Sequence, residues 1–104
     1  SNVELMDGVK DVNVYNKIFE AVEKVPGASN PHRVRSRMIG NRYIITLDIE
    51  VNPHITITQA HEIAGAVEKS IEDSVDNVYD ILVHVEPAGE CQTDEKFGVN
   101  KGMV

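Results

Sequence analysis

Arg42-Tyr43-Ile44-Ile45-Thr46-Leu47-Asp48-Ile49-Glu50-Val51 is the stretch on which the fold turns. Side chains along a strand leave alternate faces, so Tyr43, Ile45, Leu47, Ile49 and Val51 share one side and Ile44, Thr46, Asp48 and Glu50 the other. The first set is a core face. The second carries two carboxylates and is at least partly wet. Immediately before it, Gly40-Asn41 is a turn signal, and upstream of that turn Arg33, Arg35 and Arg37 alternate with Val34, Ser36 and Met38. The pair reads as a β-hairpin, with a first strand over Arg33 to Gly40 that keeps its arginines on a solvated face.

Working outward, Tyr15, Ile18, Phe19, Val22 and Val25 recur at spacings of three and four, one face of an amphipathic helix from Asn13 that Pro26-Gly27 ends. On the other side, Thr56-Ile57-Thr58-Gln59 has the form of a capping box, in which a hydroxyl and an amide satisfy the free amides of a first helical turn. A second helix follows to about Asp73 on Ala60, Ile63, Ala64, Val67 and Ile71. A last strand, Val78 to Val85, places Tyr79, Ile81, Val83 and Val85 inward and Asp80, Leu82 and His84, with Glu86 beyond it, outward before Pro87 closes it.

The order is therefore α-β-β-α-β, an α+β two-layer sandwich with both helices on one face of a three-stranded sheet. The opposite face, with Ile44, Thr46 and Leu82, is left free for a partner, most simply a second copy. Residues 12–88 form the domain, residues 1–11 read as an entry linker, and residues 89–104, without periodicity, read as a flexible tail.

A length of 104 residues allows one domain. Ten Lys+Arg against seventeen Asp+Glu give a formal charge of −7, which repels phosphate backbones and attracts cations, so nucleic acid is not an expected partner. No apolar run approaches the roughly 20 residues of a membrane helix, and the chain is expected to be soluble by itself. The single cysteine, Cys91, makes neither an internal disulfide nor an all-cysteine zinc site, so any metal site has to come from histidine and carboxylate.

Those residues fall together. His84 and Glu86 stand two apart on one strand and share a face, and Asp48 lies on the polar face of its neighbour. His61, off the apolar stripe of the second helix, is within reach of the sheet edge. His32 begins the first strand but is in phase with Val34 on the core side, so it joins the set only if the regular strand starts after it. Imidazole nitrogen and carboxylate oxygen are the donors of roughly tetrahedral zinc. His54, in the loop before the second helix, and Cys91 are left out. There is no G-x-S-x-G, no phosphate-cradling glycine loop and no H-E-x-x-H, and no enzyme is predicted.

From about Leu5 to Pro87 the chain resembles the cytoplasmic C-terminal domain of the cation diffusion facilitators, divalent-metal/proton antiporters. Leu5-Met6-Asp7 is similar to the segment with which that family leaves its last membrane helix. Val25-Pro26-Gly27-Ala28 is similar to its (V/I)-P-G-V helix end, and His32-Arg33-Val34-Arg35-Ser36-Arg37 to its H-x-(L/V)-R-x-(R/W) strand. Leu47-Asp48-Ile49-Glu50-Val51-Asn52-Pro53 resembles (L/I)-H-(I/L)-E-V-D-P, Thr58-Gln59-Ala60-His61 resembles (E/Q)-A-H, and Val83-His84-Val85-Glu86-Pro87 resembles (V/I)-H-(V/Q)-(D/E)-P. Each piece alone is unspecific. Six in order over some eighty residues are specific.

The resemblance implies a ferredoxin-like, metallochaperone-like domain on the cytoplasmic face of an integral membrane transporter, tied to the membrane only through a transmembrane domain outside this chain. It implies a homodimer that binds zinc, or another divalent transition metal such as manganese, iron or cobalt, and so regulates efflux. His32, His61, His84 and Glu86 match family ligand positions, while Asp48 stands where the family commonly has histidine, which loosens the metal's identity. Two other readings compete. One is a purely structural dimerisation module. The other is an acylphosphatase-like hydrolase gripping phosphate through Arg35 and Asn41, although the N-terminal strand and anion loop such enzymes need are missing. Ligand histidines have to be neutral, so metal affinity is expected to fall as pH drops through the ordinary imidazole value of about 6.5. A zinc affinity that stays constant between mildly acidic and neutral pH would remove the histidines from the ligand set.

Overall fold

The alternating strand takes the centre of the sheet. In a computed structural model, which describes residues 12–89 together with Val99 and Lys101, the elements run α1 (Val12–Glu23), β1 (Ser29–Ile39), β2 (Arg42–Val51), α2 (Ile57–Ser74) and β3 (Val78–Pro87). The strand order is β1-β2-β3, with β1 antiparallel and β3 parallel to β2. A parallel neighbour demands a crossover, and α2 supplies it. Because β2 is paired on both edges, its alternation is expressed in full. Ile45, Leu47 and Ile49 are buried against Ile18 and Val22 of α1 and Val67 and Ile71 of α2. Burying each such side chain stabilises the fold by about 1.5–3 kcal/mol. The α+β sandwich read from the sequence is the observed one.

The ends of the helices follow their local chemistry. Gln59 N–H donates to Thr56 Oγ1 at 3.0 Å and Thr56 N–H to Gln59 Oε1 at 2.9 Å, which is the capping box in both directions. Helix α1 stops at Glu23, short of Pro26, because its last turn tightens: Lys24 and Val25 donate three residues back, to Ala21 O at 3.3 Å and Val22 O at 3.0 Å. Gly27 then takes φ +93°, which is what requires glycine here; a Cβ would also stand 2.9 Å from Ile63 Cδ1, the movable tip of a side chain.

Strand β1 is irregular where the sequence pattern looked plain. It starts at Ser29 instead of Arg33 and pairs Ser29 with Glu50, His32 with Asp48 and Arg35 with Thr46. Twice, three residues of β1 span two of β2, which is the signature of a β-bulge. The two bulges contain Asn30 at φ 48° and Arg33 at φ 49°. The second resolves the phase conflict of His32: the extra residue lets Val34 sink into the core, fully buried, while His32 turns to the opposite face.

A third bulge corrects an expectation. Tyr43 pairs with Val78 but Ile44 with Asp80, so Tyr79 is the surplus residue and is expelled from the core face where simple alternation put it. It is exposed, with the Arg42 guanidinium carbon 5.9 Å from its ring centroid. Two residues of the segment read as a flexible tail are held against the domain. Val99 exchanges backbone hydrogen bonds of 2.9 and 2.6 Å with Val34, and Lys101 Nζ lies 2.7 Å from Glu23 Oε2. The expected linker, residues 1–11, lies outside the described residues, as do Cys91 and most of residues 90–104. Among the described residues no helix is long and apolar enough to cross a membrane.

Ile45→Ala should lower the urea-unfolding free energy by about 2–5 kcal/mol, whereas Ile57→Ala, at an 89% exposed position, should stay within about 0.5 kcal/mol of the parent.

Candidate metal centre

The face of the sheet away from the helices carries the candidate chemistry. Asp48 and Glu50 leave β2 on that side, and the parallel register sets His84 beside Asp48 and Glu86 beside Glu50. The bulged β1 adds His32, paired with Asp48 from the other edge. His32 Nε2 lies 3.1 Å from Glu86 Oε1 and 3.7 Å from Asp48 Oδ2, and His84 Nε2 lies 3.7 Å from Glu86 Oε2. His32, Asp48 and Glu86 are all buried, at 4%, 7% and 8% exposure. Arg33 Nε approaches Asp48 Oδ2 at 3.4 Å from the bulge.

The hydrogen bonds fix which ring nitrogen of His32 is available. His32 Nδ1 lies 2.7 Å from Asn30 O, and a carbonyl only accepts, so the proton is on Nδ1. In a neutral ring Nε2 then presents a lone pair to two carboxylate oxygens. That arrangement is satisfied by a second proton on the ring or by a cation among the three atoms. Among the described residues the buried Asp48 Oδ2 accepts no well-aligned hydrogen bond and meets Arg33 as an ion pair at 3.4 Å, so it retains lone-pair capacity for a cation. Metal–ligand bonds of about 2.0–2.2 Å in a tetrahedron set neighbouring donors about 3.3–3.6 Å apart, and 3.1 and 3.7 Å bracket that span. The residues present fit a divalent ion. Pinning Nδ1 to a backbone carbonyl is the usual way a ligand imidazole is held in orientation.

Four of the five residues singled out from the sequence therefore meet: His32, Asp48 and Glu86 in the buried cluster, with His84 on the exposed side of Glu86. His61 is exposed on α2, a helix of the opposite layer. His54 caps nothing in the cluster; its N–H donates to Asn52 Oδ1 in the loop before α2. Glu50 was missed as a site residue. Its carboxylate joins His32 and Glu86 in a group whose donor atoms all lie within 4.8 Å of one another. The signal was present in the alternation itself, since Glu50 shares the outer face with Asp48.

A two-layer α+β domain with a histidine–carboxylate cluster on its open sheet face is the class of protein defined so far. Residues 9–88 match the family described as cation efflux protein, cytoplasmic domain, and the chain belongs to that family. It is a family of metal-transporter domains and not of enzymes. Metal tolerance protein 2 of Oryza sativa subsp. japonica is 31% identical over 85 residues, covering 82% of this chain and 22% of the relative. Magnetosome protein MamM of Magnetospirillum gryphiswaldense is 34% identical over 82 residues, 79% of this chain and 26% of the relative. The chain thus spans about a quarter of the length of these curated relatives. Among solved structures, the metal-bound C-terminal domain of the CzcD transporter from Thermotoga maritima superposes with a TM-score of 0.75 at 36% identity, covering 80% of this chain and 96% of that one. Cadmium and copper forms of MamM C-terminal-domain variants also superpose, at TM-scores of 0.69 and 0.68 and 33% identity, each covering 72% of this chain and 94% of that one.

A bound ion should raise the melting temperature. At 100 times the dissociation constant the gain is about 2.7 kcal/mol, which for a domain of this size is about 10 °C or more. His32→Ala should abolish the shift in a thermal scan with and without zinc.

Proposed function

We propose that this chain is the cytoplasmic regulatory domain of a cation diffusion facilitator transporter, that it dimerises through its open sheet face, and that it binds a divalent transition metal, zinc first among them. His32, Asp48, His84 and Glu86 supply the donors. His61, exposed at the start of α2 in the opposite layer, belongs to the set only if it is supplied by a second copy. The observation that carries the reading is the buried His32 Nε2 with two carboxylate oxygens beside it, Glu86 Oε1 at 3.1 Å and Asp48 Oδ2 at 3.7 Å.

The mechanism follows from charge. Each copy carries a formal −7, so two copies repel, and the carboxylates on the open faces add to that repulsion locally. A divalent ion offsets two charges and ties its ligands together. It favours the closer dimer in proportion to its preference for that state. Tightening of the cytoplasmic pair then biases the membrane-embedded part of the transporter, where the cation itself moves. Leu82, 64% exposed beside Thr46, gives the open face an apolar element for contact between copies.

Calorimetric titration of zinc into chelator-stripped protein tests the binding, with His84→Ala and His61→Ala alongside. Tight binding that His84→Ala weakens at least tenfold is the expected result. Absence of binding would leave a structural dimerisation module, and an unchanged affinity in His61→Ala would place His61 outside the set. Spin labels on Lys69→Cys in a Cys91→Ser background, on the exposed side of α2, should report a shorter distance between protomers when zinc is added.

A further inference from the structure

The bulge that contains Asn30 holds two side chains of the cluster at once. Its carbonyl accepts from His32 Nδ1 at 2.7 Å, and its side-chain Nδ2 donates to Glu50 Oε2 at 2.8 Å. Glu50 pairs across the parallel ladder with Glu86, whose Oε1 lies 3.1 Å from His32 Nε2. Donor atoms of His32, Glu50 and Glu86 stand within 4.8 Å of one another, and Glu50 is half-buried on the same face as the cluster. On the other side Asp48 is engaged by Arg33 at 3.4 Å, so its carboxylate charge is shared with a guanidinium, whereas among the described residues the Glu50 carboxylate is bonded to a neutral amide.

Resting on the metal-binding reading above, we infer that Glu50, oriented by Asn30, is a further ligand of the cluster ion and the residue that sets its preference among metals. With Glu50 the group close enough to share one ion becomes one buried imidazole and two carboxylates, His32, Glu50 and Glu86, flanked by Asp48 and His84. Oxygen-rich sets of higher coordination number suit harder ions of the manganese class, and imidazole-rich tetrahedra suit zinc. The donor atoms of His32, Glu50 and Glu86 all lie within 4.8 Å of one another, close enough to share one ion. Zinc remains the tighter ion in absolute terms, as the order of first-row affinities requires, and Glu50 narrows the gap.

The test measures zinc and manganese dissociation constants for chelator-stripped protein, for Glu50→Gln and for Asn30→Gly, manganese being followed by the paramagnetic resonance signal of the free ion. Glu50→Gln keeps an oxygen for the Asn30 amide but loses the charge. Asn30→Gly tolerates φ 48° and retains the carbonyl that holds His32, so it removes only the support of Glu50. In Glu50→Gln manganese should weaken about tenfold or more and zinc about threefold or less; Asn30→Gly should move the ratio the same way by a smaller factor. If the parent protein binds both metals and neither variant changes the ratio, or both metals weaken equally, the role given to Glu50 is wrong while the metal site stands. If the parent protein binds neither metal, the metal-binding reading falls and this inference with it. Unchanged apo melting temperatures in both variants show that folding is not what moved.

Discussion

The histidine–carboxylate cluster depends on one surplus residue. A strict strand places His32 and Val34 on the same side, and Val34 is needed in the core; the bulge at Arg33 breaks that equivalence and sends His32 to the open face. Arginine at φ 49° is a strained choice, costing on the order of 1 kcal/mol against an extended backbone. What holds it there is over-determination: Val34 is buried on one side, its backbone is bonded to Val99 on the edge, and the guanidinium of Arg33 meets Asp48 on the other. Backbone geometry, edge pairing and the site's electrostatics all use the same three residues.

That constraint also explains which parts of the molecule were legible in the sequence. Strand β2 is paired on both edges and has no bulge of its own, so the alternation from Tyr43 to Val51 translated directly into buried and outward positions. The α2 start was legible because a capping box is a local device that needs no tertiary information. Strands β1 and β3 lie at the sheet edges, where pairing constrains one side only and extra residues are absorbed. There the period of two failed three times, at Asn30, Arg33 and Tyr79, and no residue type at those positions announces a bulge as a glycine would. Asp48, His84 and Glu86 were placed from spacing alone because each depends on the regular part of a strand. His32 needed the family resemblance. Glu50 was legible by phase but not by chemistry, since a lone outward glutamate on a strand is commonly just solvated.

The site is assembled against its own electrostatics. His32, Asp48 and Glu86 are buried, and burying an ion costs several kcal/mol even after relaxation. Three carboxylates on adjoining strands, Asp48, Glu50 and Glu86, add mutual repulsion, which the Arg33 guanidinium offsets at Asp48. A fold under selection for stability alone would replace such a cluster with apolar side chains. Here the helix-side layer carries the stability, through Ile18, Val22, Ile45, Leu47, Ile49, Val67 and Ile71, and the open face carries the unresolved charge.

This division of labour bears on how an ion can act at a distance. Close-packed layers do not deform continuously, so a change of charge on the open face is not taken up inside the core. It has to appear where the sheet meets something else. Leu82 and Thr46 stand beside the cluster on that same face, so in the function proposed above the surface that would feel an ion is also the surface a second copy would meet. On that proposal the mutual repulsion of the carboxylates and the contact made by the open face are one quantity read at two places, and a ligand that lowered the first would strengthen the second without any rearrangement of the two helices behind the sheet.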